Sequence, residues 1–181
     1  MTVAGLAVVA DAAVIFGSGL AALPDGALIE RQYALTDFGW PPPAVAGHGS
    51  TLVLARLGAV AGADGTVPDR AGPRLALVHG RPHLYEGWSE AELERAVADL
   101  ACWGVQRFLL LNACGGLADG VAVGDVVVGT EVVDLQAPPA DAAPRLAVCD
   151  AAATARVVAA LSAFVPAKPG AYVAVPGPQY E

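Results

Sequence analysis

The chain has 181 residues, 55% of them hydrophobic, and a formal net charge of −8. That length fits one domain with a substantial core, and the acidic balance argues against a nucleic-acid partner, which would need a basic surface. No apolar run reaches the roughly 20 residues of a membrane-spanning helix, and Met1–Ala10 has no basic residue ahead of it and runs straight into Asp11, so it reads as a poor signal peptide.

Ala13–Phe16 is a short apolar run ending at Gly17-Ser18-Gly19, which reads as a strand followed by a loop. Pro24-Asp25-Gly26 is a turn, and Phe38–Gly49, with its consecutive prolines, is a loop. Thr51–Ala55 predicts a strand, Ala61–Pro73 an exposed hairpin or loop, and Leu75–His79 a buried strand. Ser89–Trp103 predicts a helix. Ser89 and Glu92 form a capping box, Gly104 stops it, and Leu93, Val97, Leu100 and Trp103 make its buried stripe. Phe108–Leu111 predicts a strand that ends at Asn112-Ala113-Cys114-Gly115-Gly116. Asp125–Val128 and Glu131–Leu135 read as separate strands, and Gln136–Cys149 as a Pro/Ala loop. Asp150 caps a helix running to about Phe164, and Ala171–Val175 is the last strand. Alternating strands and helices, with strands apolar throughout, predict an α/β fold whose sheet is covered on both faces. No linker or repeat divides the chain, so one domain over 1–181 is expected.

The chemistry gathers after Leu75–His79, in Gly80-Arg81-Pro82-His83-Leu84-Tyr85-Glu86-Gly87. A fixed cation, an imidazole, a phenol and a carboxylate follow the end of a buried strand, where α/β sheets carry their sites. Arg is the side chain best shaped to grip phosphate. Loops 17–20, 80–87, 112–116 and 176–181 all follow strands, and in such a sheet they can converge on one rim. Other readings fit less well. Gly17-x-Gly19-x-x-Ala22 fits a relaxed dinucleotide fingerprint with Asp37 twenty residues on, but Pro24 and Gly26 break the helix that should follow. His48, His79 and His83 lack carboxylate or thiol neighbours at metal-ligand spacing, so no metal is expected. His79 alternates with the core of its strand and reads as structural. Asn112 reads as a strand-end cap, and Glu86 as either a loop brace or a substrate contact. Cys114 has no His neighbour in sequence and reads as packing rather than as a nucleophile. Cys102, Cys114 and Cys149 show no redox pairing, which suits free thiols in a reducing cytoplasm.

Together, Gly17-Ser18-Gly19-Leu20, Gly47-His48, the block 80–87, Asn112-Ala113-Cys114-Gly115-Gly116 and Gly177-Pro178-Gln179-Tyr180-Glu181 resemble the trimeric purine nucleoside phosphorylase family, in its order and with plausible spacing. The resemblance covers nearly the whole chain, and the chain about the first two-thirds of the family's usual fold. It implies a three-layer α/β fold with a mixed, mostly buried central sheet, incomplete at the C-terminus. It also implies phosphorolysis of purine nucleosides, with phosphate as co-substrate and no cofactor, in a cytoplasmic homotrimer without nucleic-acid or membrane partners. By motif match, Ser18, His48, Arg81, His83 and the Ala113 amide bind phosphate, and Tyr85 contacts the ribose. Tyr180 packs beside the purine and Glu181 accepts its hydrogen bonds. His83 and Glu181 are the implied catalytic groups.

The chain departs from the family's pattern in places. Leu146 stands where the family has a Phe that covers a neighbour's ribose. The family's later segment carries a second phosphate Ser, a purine-facing Asn and a ribose-facing His. The 181 residues alone are therefore expected to turn over poorly or not at all. A methylthioadenosine phosphorylase, or a non-catalytic phosphate or nucleoside binder, is the alternative. Gly17-Ser18-Gly19-Leu20 and Tyr85-Glu86-Gly87 favour the purine nucleoside enzyme.

Overall fold

A computed structural model describes residues 10–17, 20, 22–44, 49–58, 72–136 and 145–175. The chain divides into two compact units, Met1–Ala113 and Cys114–Glu181.

The first unit is built on a mixed sheet. Its strands are β1 (Ala12–Phe16), β2 (Ala27–Ala34), β3 (Thr51–Leu57), β4 (Arg74–His79) and β5 (Phe108–Leu111), in the order β2-β3-β4-β1-β5. β1 runs parallel to β4 and β5, and β3 runs antiparallel to β2 and β4. Apolar runs without alternation form β1, β3 and β4 because both faces of the middle of the sheet are covered. On one face Ile15, Leu52, Leu54, Ala76 and Val78 pack with Leu100, Phe38 and Trp40. On the other, Phe16, Val53, Ala55 and Leu77 form a second cluster. Each fully buried Leu, such as Leu52, Leu77 and Leu100, contributes about 1.5–3 kcal/mol.

Helix α1 (Glu90–Cys102) begins as its sequence dictates. The Ser89 hydroxyl accepts the Glu92 N–H, and the Glu92 carboxylate accepts the Ser89 N–H at 2.8 Å. Beyond its end Gly104 takes φ +98°, a left-handed conformation that glycine adopts without strain. The buried stripe is narrower than its spacing predicts: Leu100 is fully buried, whereas Val97 is exposed. The Trp40 indole donates to Asp99 at 2.7 Å and so ties the helix to the segment after Phe38.

Two features of this unit depart from the sequence reading. β2 is a full strand where none was expected. It lies at the edge of the sheet, and its charged centre, Glu30-Arg31-Gln32, hides the apolar alternation. A bulge between Ile29 and Arg31 interrupts its register with β3. Glu30 joins Arg56 on β3 and Arg74 on β4, each at 2.6 Å. At the opposite edge, Leu109 and Leu110 of β5 are exposed, so the covering on both faces stops short of that strand.

The second unit is a three-stranded sheet in which β6 (Val126–Asp134) lies between β7 (Arg145–Val148) and β8 (Ala167–Ala174), with a helix. β6 (Val126–Asp134) is one strand where two were expected, continuing through a register shift between Gly129 and Glu131. β7 (Arg145–Val148) lies inside the expected Pro/Ala loop, antiparallel to β6. β8 (Ala167–Ala174) starts before the expected boundary and accommodates Pro169 in an outer strand, where proline is tolerated. Helix α2 (Ala151–Leu161) is capped by Asp150, whose carboxylate accepts the Ala153 N–H at 2.6 Å. Buried Thr154 donates to the Gly129 carbonyl at 3.1 Å, anchoring α2 to β6. The hairpin or loop expected over Ala61–Pro73 lies mostly outside the described residues.

Candidate active site

Strand register decides where the loops leave the sheet. Phe16, the last residue of β1, pairs with His79 on β4 and with Leu111 on β5. The three parallel strands therefore end together, and Gly17, Gly80 and Asn112 leave the sheet on one rim. Thr51 pairs with His79, so Gly49 and Ser50 enter β3 at the same rim. With neighbouring parallel strands roughly 4.8 Å apart, the ends of β4 and β5 stand roughly 10 Å apart with Gly17 between them.

The glycines permit close approach. A Cβ on Gly17 would lie 2.6 Å from the Leu111 carbonyl oxygen. A Cβ on Gly80 would collide with the Gly49 carbonyl oxygen, and Gly80 also takes φ +91°. The loop into β3 and the loop out of β4 thus touch backbone to backbone. Beneath them His79 is buried, its ring stacked on Phe16 at 4.8 Å and 9°. Burial pushes its imidazole below the ordinary value, because desolvation disfavours the charged form. The structural role expected of His79 is what the packing shows.

Arg81 follows at once, partly buried, and its Nε has no hydrogen-bond partner among the described residues. A buried guanidinium nitrogen left unpaired is unusual, and a ligand anion would satisfy it. His83 stacks on Tyr85 at 4.7 Å and 14°. Its Nδ1 lies 2.9 Å from Glu86 Oε1. An ionised carboxylate can only accept, so Nδ1 carries the proton in this pair. The other carboxylate oxygen, Oε2, accepts the Ala44 N–H at 3.1 Å. Burial alone would raise the Glu86 carboxyl, but the hydrogen bonds from His83, Ala44 and Trp88, with the charge of His83, outweigh it and hold it below its ordinary value. Glu86 therefore braces the loop and orients His83. The signal for this was the His-x-x-Glu spacing, closed by the short 3-10 turn Leu84–Glu86.

Arg81, His83 and Tyr85 thus follow β4, and Ala113 follows β5, on one rim. Ala113 is exposed one residue past Asn112. Ser18, His48, Tyr180 and Glu181 lie outside the described residues. Cys114 is exposed, not packed. Leu146, the position of the expected ribose cover, is on β7 and exposed. A guanidinium, an imidazole held by a carboxylate, and a backbone amide at the ends of parallel strands suit a tetrahedral oxyanion.

The comparisons agree with this fold. The family model described as the phosphorylase superfamily matches residues 11–181, and the chain belongs to that family. Its relatives there include the purine nucleoside phosphorylase of Cellulomonas sp, 31% identical over 175 residues, 94% of this chain and 59% of that protein. That of Mycobacterium tuberculosis is 30% identical over 176 residues, again 94% of this chain and 60% of the relative. Among solved structures, the purine nucleoside phosphorylase from Schistosoma mansoni in complex with acetate superposes with a TM-score of 0.65 at 25% identity, over 97% of this chain and 66% of that one. The fold is the α/β nucleoside phosphorylase fold. The chain spans about three fifths of the length of the curated relatives.

Proposed function

We propose that this chain acts in the phosphorolysis of purine ribo- and deoxyribonucleosides, with 6-oxopurine nucleosides as the preferred substrates. The observation that carries the reading is the common rim, where the loop after β4 holds Arg81, whose Nε has no partner among the described residues, and, two residues on, the His83–Glu86 pair. In the reaction, a phosphate oxygen attacks C1′ as the glycosidic bond breaks. The bonding electrons leave with the purine, which takes a proton, and ribose 1-phosphate remains. Arg81, His83, Ser18, His48 and the Ala113 amide hold the phosphate in line with C1′, an effect of proximity and electrostatics. Tyr85 contacts the ribose, Tyr180 packs beside the base, and Glu181 accepts hydrogen bonds from the purine. Phosphate is the nucleophile itself, so the reading calls for no metal or organic cofactor. It also carries the family's homotrimer and a cytoplasmic location.

Calorimetric titration with inorganic phosphate tests the half of the site that the described residues contain. Phosphate binding is expected to weaken at least tenfold in Arg81→Ala, about 1.4 kcal/mol. Affinity unchanged by that substitution would remove Arg81 from the site. Any hypoxanthine released from inosine is expected to require phosphate; release at the same rate in its absence would mean hydrolysis and contradict the reading.

A further inference from the structure

Asn112 stands at the end of β5, directly beside Gly17. Its side-chain oxygen Oδ1 is buried and has no hydrogen-bond partner among the described residues. A strand-end cap would set that oxygen on a neighbouring N–H, and none is within reach among the described residues. Leaving a buried acceptor unmade is unfavourable, and such an orphan calls for an explanation. Gly17 lies close to it: a Cβ on Gly17 would lie 3.4 Å from Oδ1 and 3.2 Å from the Asn112 Cα. The amide thus sits against the first residue of the loop after β1. Across that loop, at the end of β4, is Arg81 with its own unpartnered Nε. One orphan is a donor with a fixed positive charge and the other is a neutral acceptor, and they flank one strand end.

We propose that Asn112 is a specificity-determining residue of this anion site. Its side-chain carbonyl accepts a hydrogen bond from a P–OH group and so selects phosphate over sulfate. The inference rests on the anion reading above. Phosphate near neutral pH still carries a proton on oxygen, and sulfate carries none. Arg81 attracts both anions alike. Against an acceptor, hydrogen phosphate brings the missing donor, whereas sulfate brings only lone pairs and is repelled. A site of donors alone would not tell the two anions apart. The chemistry is that of any site built to pair with a substrate OH: the analogue without it leaves a buried group unpaired and is rejected.

The test is calorimetric titration of the 181-residue chain with inorganic phosphate and with sulfate, at equal ionic strength and neutral pH. The wild-type chain is expected to favour phosphate at least tenfold. Asn112→Ala is expected to bring the ratio near one, mainly by weakening phosphate, while Arg81→Ala weakens both anions and keeps the ratio. Asn112→Asp keeps the shape and the acceptor, and is expected to keep or raise the ratio. An unchanged ratio in Asn112→Ala would show a purely structural amide and overturn the inference while leaving the anion site standing. A ratio that falls toward one in Asn112→Asp, which still offers an acceptor, would overturn it too. A wild-type chain that binds neither anion would remove the anion site itself, and the inference with it.

Discussion

At the scale of single residues, the site depends on two fixed points, a carboxylate and a glycine. Glu86 uses one carboxylate oxygen for His83 and the other for the Ala44 N–H. Glu86→Gln keeps an oxygen for Ala44 but loses the charge that orients the imidazole. Phosphate affinity is expected to drop about tenfold, about 1.4 kcal/mol, with a change in the His83 ring nitrogen shifts by NMR. Unchanged shifts would show that the carboxylate does not set the tautomer. Gly80 is the other fixed point. A side chain there would both strain a backbone at φ +91° and strike the Gly49 carbonyl. Gly80→Ala is expected to destabilise by about 1–3 kcal/mol from backbone strain alone, measured by urea denaturation. Residue types in the 80–87 block were enough to suggest an anion site, because Arg and His after a buried strand carry their chemistry openly. The double role of Glu86 was not legible, since Ala44 is distant in sequence and offers only a backbone N–H.

At the scale of elements, helix α1 and the glutamate of β2 give separate tests. The Ser89 cap satisfies a backbone N–H at the helix start, so Ser89→Ala is expected to cost about 1 kcal/mol by thermal or chemical unfolding. Burial raises the Glu30 carboxyl, but hydrogen bonds and charge from Arg74 and Arg56 outweigh it and hold its pKa below the ordinary value. A depressed carboxyl binds its proton more readily in the unfolded chain. Its contribution is therefore full at neutral pH and is lost as pH falls through and below the ordinary carboxylate range. Glu30→Gln is expected to lower stability at pH 7 by about 1.5–3 kcal/mol, and to flatten the acid limb of the stability profile. An acid limb as steep as the wild type's would exclude Glu30 as a source. The strands with apolar cores, β1, β3, β4 and β5, were legible in the sequence, as were both capped helices. β2 and β7 were not: one has charges at its centre on a sheet edge, and the other is four exposed residues held by pairing with β6. The two halves of β6 joined because a bulge at a glycine-containing step carries the strand through.

At the scale of the molecule, a single domain over residues 1–181 is the expectation, and the division into two compact units supplies its test. All three tryptophans, Trp40, Trp88 and Trp103, belong to the first unit. Fluorescence therefore reports that unit, while far-UV circular dichroism reports the strands and helices of both. Coincident urea transitions are expected for one cooperative domain; separated midpoints would show two. The account's central claim is that the ends of β1, β4 and β5 form one phosphate site. A crystal structure of the chain grown with inorganic phosphate tests this most directly. Phosphate is expected within hydrogen-bond distance of the Arg81 guanidinium, the His83 ring and the Ala113 N–H. Phosphate bound elsewhere, with Arg81 turned away from the end of β5, would contradict it.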